Sequence, residues 1–206
     1  MLKVSNITKS FDNKIIFKDF NLTVEKSEFL AIVGESGRGK TTLLNIIGLL
    51  EKPDCGNITI ENETNPSNKR LMELRREKIG YLFQNFALIE NLTVEKNLLI
   101  SLEYNRSKHK KSLMKEALRF VNLNNDYLDK KIYQLSGGEQ QRVAIARLYL
   151  KNCDYIFADE PTGNLDEKNK KIIYDLLKKM NDSGKTIIVV THDSNLTLLA
   201  DRVITL

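Results

Sequence analysis

Residues 34–41 read Gly34-Glu35-Ser36-Gly37-Arg38-Gly39-Lys40-Thr41, with Thr42 next. Three glycines in so short a span let backbone N–H groups turn toward one point, which suits an anion with several oxygens. An apolar run at 29–33 precedes the loop and an apolar-rich stretch at 42–47 follows it. That order predicts strand, loop and helix, so a helix N-terminus adds its dipole to the same point. The spacing is G-x-x-x-x-G-K-[ST]. It places Lys40 to contact the β and γ phosphates of a nucleotide and Thr41 to ligate Mg²⁺.

Further residues fit the same chemistry. Asp159 and Glu160 end the apolar run 155–158. Alone, such a pair could simply cap the turn before Pro161. Downstream of a phosphate loop, Asp159 is placed to hold Mg²⁺, through water, and Glu160 to polarise the attacking water. Leu135-Ser136-Gly137-Gly138-Glu139-Gln140-Gln141-Arg142 forms a second glycine-rich turn. Ser136 is a helix N-cap there, and its hydroxyl with the Gly137 and Gly138 amides can bind a phosphate. The first loop does not need that turn for its own nucleotide. A chain with both halves of a phosphate clamp suggests a head-to-tail dimer with ATP between two copies. Gln84 after the apolar run 79–83, and His192 after 188–191, are residue types that more often lie at a surface or cap a strand end.

The elements that must carry these residues alternate. Short strands are expected at 2–4, 14–17 and 22–25, with Asp12 and Asn13 in a turn. Buried strands are expected at 29–33, 79–83, 155–158 and 186–190, with further strands at 57–60 and 202–206. A charged helix starts near Asn65-Pro66-Ser67 and runs to about Lys78, and an amphipathic helix covers 168–180. The stretch from Thr93 to about Tyr133 is mostly helical. This is an α/β pattern with a mainly parallel sheet.

The chain has 206 residues, 41% hydrophobic and 29% charged, with net charge +5 from 32 Lys+Arg and 27 Asp+Glu. These values fit one soluble domain. The charges are dispersed, and the one dense run, Lys108-His109-Lys110-Lys111, suits a solvated helix start, so no nucleic-acid partner is expected. No apolar stretch approaches the ~20 residues of a spanning helix. Lys3, Asn6 and Lys9 break any signal-peptide pattern at the start. A cytoplasmic protein is expected, reaching a membrane only through a partner. Cys55 and Cys153 lack metal-ligand spacing and read as free thiols.

In the order and spacing of these motifs, nearly the whole chain resembles the ATP-binding-cassette (ABC) superfamily. The resemblance implies a P-loop NTPase core with an antiparallel β subdomain and a helical subdomain at about 85–135, all within a single domain, 1–206. It implies that Ser136, Gly137 and Gly138 contact the γ-phosphate of ATP held by the other copy's loop, with ATP and Mg²⁺ as cofactors. Gln84 heads the loop that senses Mg²⁺ and water and faces an integral membrane permease. By the same resemblance His192 matches the switch histidine, and Asp166, in Gly163-Asn164-Leu165-Asp166, matches the loop that communicates across the dimer. Phe11 stands where an aromatic stacks on adenine; as an aromatic at a strand end it also suits a core. Arg38 replaces a small residue and either lies near phosphate or faces solvent. Lys96 stands where glutamate is frequent, at the surface expected to meet the permease. The chain stops at Leu206, where relatives usually continue.

Within the superfamily the chain is similar to the lipoprotein-releasing, macrolide-export and antimicrobial-peptide-resistance subgroup, and more narrowly to ATPases of lactococcin-type bacteriocin export. Export or extraction of a peptide, lipoprotein or drug is therefore expected, with this chain peripheral on the inner face of the cell membrane through a permease. An importer remains an alternative, because the engine does not encode direction. A cassette acting on soluble partners is the other, although those of translation carry two domains in tandem and those of DNA repair a long coiled coil.

Overall fold

The structure is a computed structural model that describes residues 1–12, 14–105, 107–163 and 165–206. Asn13, Arg106 and Asn164 lie outside the described residues, and with them part of the expected 12–13 turn and of the 163–166 segment. In chain order, β1 (Leu2–Phe11) and β2 (Lys14–Val24) lead to β3 (Phe29–Val33) and α1 (Lys40–Ile47). Next come β4 (Cys55–Ile60), β5 (Glu63–Thr64), α2 (Asn68–Glu77) and β6 (Ile79–Leu82). Then α3 (Val94–Ser101), α4 (Lys110–Phe120), two 3₁₀ turns (Asn125–Asp129, Ile132–Gln134) and α5 (Gly137–Lys151) follow. The chain closes with β7 (Tyr155–Asp159), α6 (Glu167–Asp182), β8 (Thr186–Val190), α7 (Ser194–Thr197) and β9 (Arg202–Thr205).

Two sheets result. One is antiparallel in the order β2-β1-β4-β5 and the other is parallel in the order β6-β7-β8-β3-β9. The unbroken apolar runs are the inner parallel strands, as a sheet covered on both faces requires. Their residues alternate between two cores. Phe29, Ala31, Ile156, Ala158, Ile187 and Val189 pack with the helices α3 to α6. Leu30, Ile32, Tyr155, Phe157, Ile188 and Val190 pack with α1 and the antiparallel sheet. The period-2 geometry of a strand assigns these faces without further signal.

The expected short strands at 2–4, 14–17 and 22–25 are pieces of one long hairpin. Asn6 and Asp19 take positive φ values of 52° and 50°, and the β1–β2 register shifts beyond Val4. Such bulges break the alternation that sequence patterning relies on while leaving the pairing continuous. The helix expected near Ser67 starts there: its hydroxyl accepts from Arg70 N at 3.4 Å and caps α2. Cys55 is exposed and Cys153 buried, both as free thiols.

Candidate functional site

The C-terminal ends of β3, β6, β7 and β8 open into one cleft of about 650 Å³. It is lined by Phe11, Ile16, Ser36, Gly37, Gly39, Lys40, Thr41, Thr42, Gln84, Asp159, Glu160, Gly163, Val190 and His192. A crevice outside the carboxyl ends of parallel strands is where open α/β sheets bind ligands.

The loop after β3 is built by backbone conformation. Gly37 and Gly39 hold φ at 79° and 87°. Gly39 also has no room for a side chain: a Cβ there would sit 2.3 Å from Ile16 Cγ2. α1 begins at Lys40 without a side-chain cap, so its first N–H groups face the cleft unclaimed by a capping residue. Lys40 is buried, and its Nζ donates to Gly34 O at 2.8 Å and Glu35 O at 3.0 Å. The ammonium thus closes the loop over itself.

Two hard oxygen donors stand next to each other at its floor. Thr41 Oγ1 donates to Asp159 Oδ1 at 3.3 Å. Burial raises the Asp159 carboxyl above the usual carboxylate range, against the opposing pull of Thr41 and Lys40. A half-desolvated carboxylate beside a hydroxyl suits a small divalent cation that keeps most of its waters.

Glu160 has φ 43°, an unusual value for a residue with a side chain. Its N–H donates to Val190 O at 2.9 Å, which ties it to the end of β8. His192 N donates to Glu160 Oε2 at 3.3 Å, and His192 Nε2 stands 3.4 Å from Oε1. One carboxylate oxygen is therefore fixed by backbone and the other faces an exposed ring that can turn away. Gln84 is exposed, with its Nε2 next to Gly163 on the loop beyond Glu160. Phe11 is 47% exposed at the end of β1, with Lys9 Nζ 5.0 Å from the ring centroid. It is a rim residue rather than a core one.

Several expected residues do not line this cleft. Arg38 donates from Nε and Nη2 to Glu35 Oε2 at 3.3 and 3.2 Å, with both side chains turned to solvent. Of the two placements expected for Arg38, the structure has the solvent one. Gly34, Glu35, Ser136, Gly137, Gly138 and Asp166 are also outside the lining. Ser136 and Gly137 are exposed at the start of α5, where Ser136 Oγ accepts from Glu139 N at 3.3 Å. Asp166 is exposed as the N-cap of α6.

Sequence reasoning missed the residues that hold these turns. Glu139 Oε2 accepts from Ser136 N at 2.8 Å and from Ser136 Oγ at 3.0 Å, while Oε1 accepts from Tyr127 OH at 2.5 Å. Burial works to raise the Glu139 carboxyl, but the Tyr127 and Ser136 donors outweigh it and hold it below its usual range. The S-x-x-E spacing was a readable capping-box signal. Asn97 is fully buried, with its amide bonded to Ile89 N, Ile89 O and Thr93 O at 2.8 to 3.1 Å. It fixes the segment between Gln84 and α3, and only tertiary structure reveals it.

A family model described as "ABC transporter" matches residues 17–163. An uncharacterized ABC transporter ATP-binding protein of Methanocaldococcus jannaschii, MJ0796, is 43% identical over 99% of this chain and 92% of its own length. The lipoprotein-releasing system ATP-binding protein LolD of Aquifex aeolicus is 42% identical over 98% of this chain and 92% of its own. The macrolide export ATP-binding/permease protein MacB of Campylobacter jejuni is 41% identical over 99% of this chain, which spans 32% of MacB. A solved dimeric structure of MJ0796 matches with TM-score 0.91 at 41% identity, over 100% of this chain and 94% of that one. A dimeric post-hydrolysis state of the same cassette, bound to ADP and Pi, matches with TM-score 0.90. The chain belongs to the ABC transporter family and is an ATP-hydrolysing cassette of it.

Proposed function

We propose that two copies of this chain close head to tail on two ATP·Mg²⁺. Each nucleotide would be held by the cleft of one copy and by Ser136, Gly137 and Gly138 of the other. One observation carries this reading: the 136–138 turn, exposed at Ser136 and Gly137 and buried at Gly138, has the form of a phosphate site, yet it lies outside the cleft where Lys40, Thr41 and Glu160 converge. Only a second copy can complete such a clamp.

In this reading Gly34, Glu35, Ser36, Gly37, Arg38, Gly39 and Thr42 offer the loop's backbone and hydroxyl groups to the phosphates, and Phe11 stacks on the base. Lys40 exchanges its loop carbonyls for phosphate oxygens and stabilises charge on the γ-phosphoryl group. Thr41 and Asp159, with Gln84, hold Mg²⁺, which when bound neutralises phosphate charge. Glu160 Oε1 is freed as His192 turns toward the γ-phosphate, and it then takes the proton of the attacking water. Hydrolysis removes the phosphoryl group that bridges the copies, so the dimer can open, with Asp166 signalling between them.

The whole of 1–206 acts as a single cassette, with the 85–135 segment as its helical lobe. No helix among the described residues is long and apolar enough to cross a membrane. The likeness to LolD, an ATP-binding protein matched over 92% of its length, supports a peripheral ATPase that works on a separate permease at the inner face of the cell membrane, and the likeness to MacB, whose name joins ATPase and permease, supports the permease itself. Export or extraction of a peptide, lipoprotein or drug is the assignment that this likeness favours, and bacteriocin export is its narrower form.

The test is Glu160→Gln. The variant should bind ATP and run as a dimer on size exclusion, while its kcat falls by about 10²- to 10⁴-fold, as loss of a general base does. Full turnover, or an ATP-loaded variant that stays monomeric, sinks the proposal.

A further inference from the structure

The 136–138 turn and the 160–166 loop meet on one side chain, Asn169, in the first turn of α6. Its carboxamide lies against Gly138, where an added Cβ would be 2.3 Å from Asn169 Cγ and 2.4 Å from Oδ1. Asn169 Oδ1 accepts from Arg142 Nη1 at 2.7 Å. Asn169 Nδ2 donates to Asp166 Oδ2 at 2.8 Å, and Asn169 N donates to Asp166 Oδ1 at 2.8 Å. The amide therefore has a fixed sense, with oxygen to the guanidinium and nitrogen to the carboxylate. These two N–H donors, backbone first, hold the Asp166 carboxyl below its usual range. Fully buried Gln141 adds a second tie, donating from Nε2 to Pro161 O at 2.6 Å. The loop that leaves Glu160 is thus fastened to α5 near both of its ends.

Capping α6 does not require asparagine at 169. The cap needs only the backbone N–H, which any residue but proline supplies. The side chain adds the link across to α5, and it fills the volume that a larger residue at 138 would need. Glycine at 138 and asparagine at 169 are a matched pair.

We infer that Asn169 is a positioning residue that makes the 136–138 turn and the Asp166 loop move as one body. Closure of one copy's nucleotide onto the turn then displaces the loop beside the other copy's own Glu160, so the two sites fire together. This rests on the two-copy reading above. Asn169 acts through Gly138, Arg142 and Asp166 and lies outside the cleft lining.

Asn169→Asp separates packing from coupling. The side chain keeps its shape over Gly138 and an acceptor for Arg142, but it faces Asp166 with a second carboxylate. The full chain is assayed for ATPase rate against ATP at several protein concentrations, for fluorescent-nucleotide affinity as a monomer, and for melting. The expected result is wild-type melting and nucleotide affinity with kcat about tenfold lower, the scale on which misplaced catalytic geometry is felt. The Hill coefficient for ATP should fall from about two toward about one, since two coupled sites set its ceiling. A purely structural role would move melting and leave the Hill coefficient alone. Should the aspartate variant fail to fold, Asn169→Ser, which keeps the cap and loses the tie, is read the same way. Wild-type kcat and Hill coefficient in a folded variant overturn the inference. A wild-type chain whose specific activity ignores protein concentration overturns the two-copy reading, and the inference with it.

Discussion

Asp193 directly follows His192 and is held from three sides. Thr162 Oγ1 donates to it at 3.1 Å, Asn195 N at 3.0 Å, and Tyr174 OH completes the set. Burial works to raise this carboxyl, but the two hydroxyls and the backbone donors outweigh it and hold it below the usual range. A depressed carboxyl contributes stability above its unfolded pKa, and that contribution is lost as pH falls through the folded value. Asp193→Asn should therefore cost about 1–3 kcal/mol at neutral pH, the range for disturbing a bonded buried group. The gap from wild type should begin to narrow below about pH 4, where the unfolded carboxyl binds its proton, and should close only below the lower folded value, where both states bind it. Melting curves across pH check this, and a gap that widens in acid would contradict it. The same carboxylate joins the His192 turn to the loop after Glu160, so the variant should also disturb turnover.

At the scale of elements, β6 delivers Gln84 and packs on α5 with no spare room. A Cβ on Gly80 would meet Cys153 Sγ at 2.5 Å and Leu148 Cδ2 at 2.6 Å. Gly80→Ala should destabilise the chain by about 1–3 kcal/mol through overpacking. Cys153→Ala should recover part of that loss in a double-mutant cycle by thermal melting, because the two sites share one contact. Burial pushes the Cys153 thiol up to about 11, so it behaves as a small apolar group rather than a reactive one. The central elements were legible in the sequence because long apolar runs have few alternatives. The expected 29–33 and 186–190 strands are β3 and β8, and 155–158 extends by one residue to β7. The edges were not legible, since bulges scramble the long hairpin and both β5 and α7 are too short for any period. The cleft lining was anticipated from contiguous residues at 36–37, 39–42 and 159–160, and through the family resemblance at Phe11, Gln84 and His192, whereas Ile16 and Val190 were not anticipated. The Arg142–Asn169 tie was invisible because its partners are 27 residues apart and meet only through packing.

The whole molecule carries an open cleft on one surface and a glycine turn outside it, and on the proposed two-copy reading its folded stability with ATP is linked to its own concentration. A ligand that binds only the closed pair stabilises it by mass action, by about 2.7 kcal/mol at a hundredfold excess over Kd. For Glu160→Gln with ATP, the melting temperature should rise with protein concentration, whereas with ADP it should not. A scan over a hundredfold range of protein, read by calorimetry, decides it. Melting that is independent of concentration with ATP would mean each nucleotide is held by one chain. Such a chain would also have no use for the matched Gly138 and Asn169.

Glu160 carries a left-handed backbone conformation under a long side chain. That costs on the order of 1–2 kcal/mol, which glycine would not incur and asparagine would incur less. A laboratory selection for heat resistance alone, blind to turnover, would be drawn to Glu160→Gly or Glu160→Asn. With Glu160 as the proposed base, durability and chemistry compete for this single codon, and a carboxylate persists there only while the proposed work is worth more than the stability it withholds.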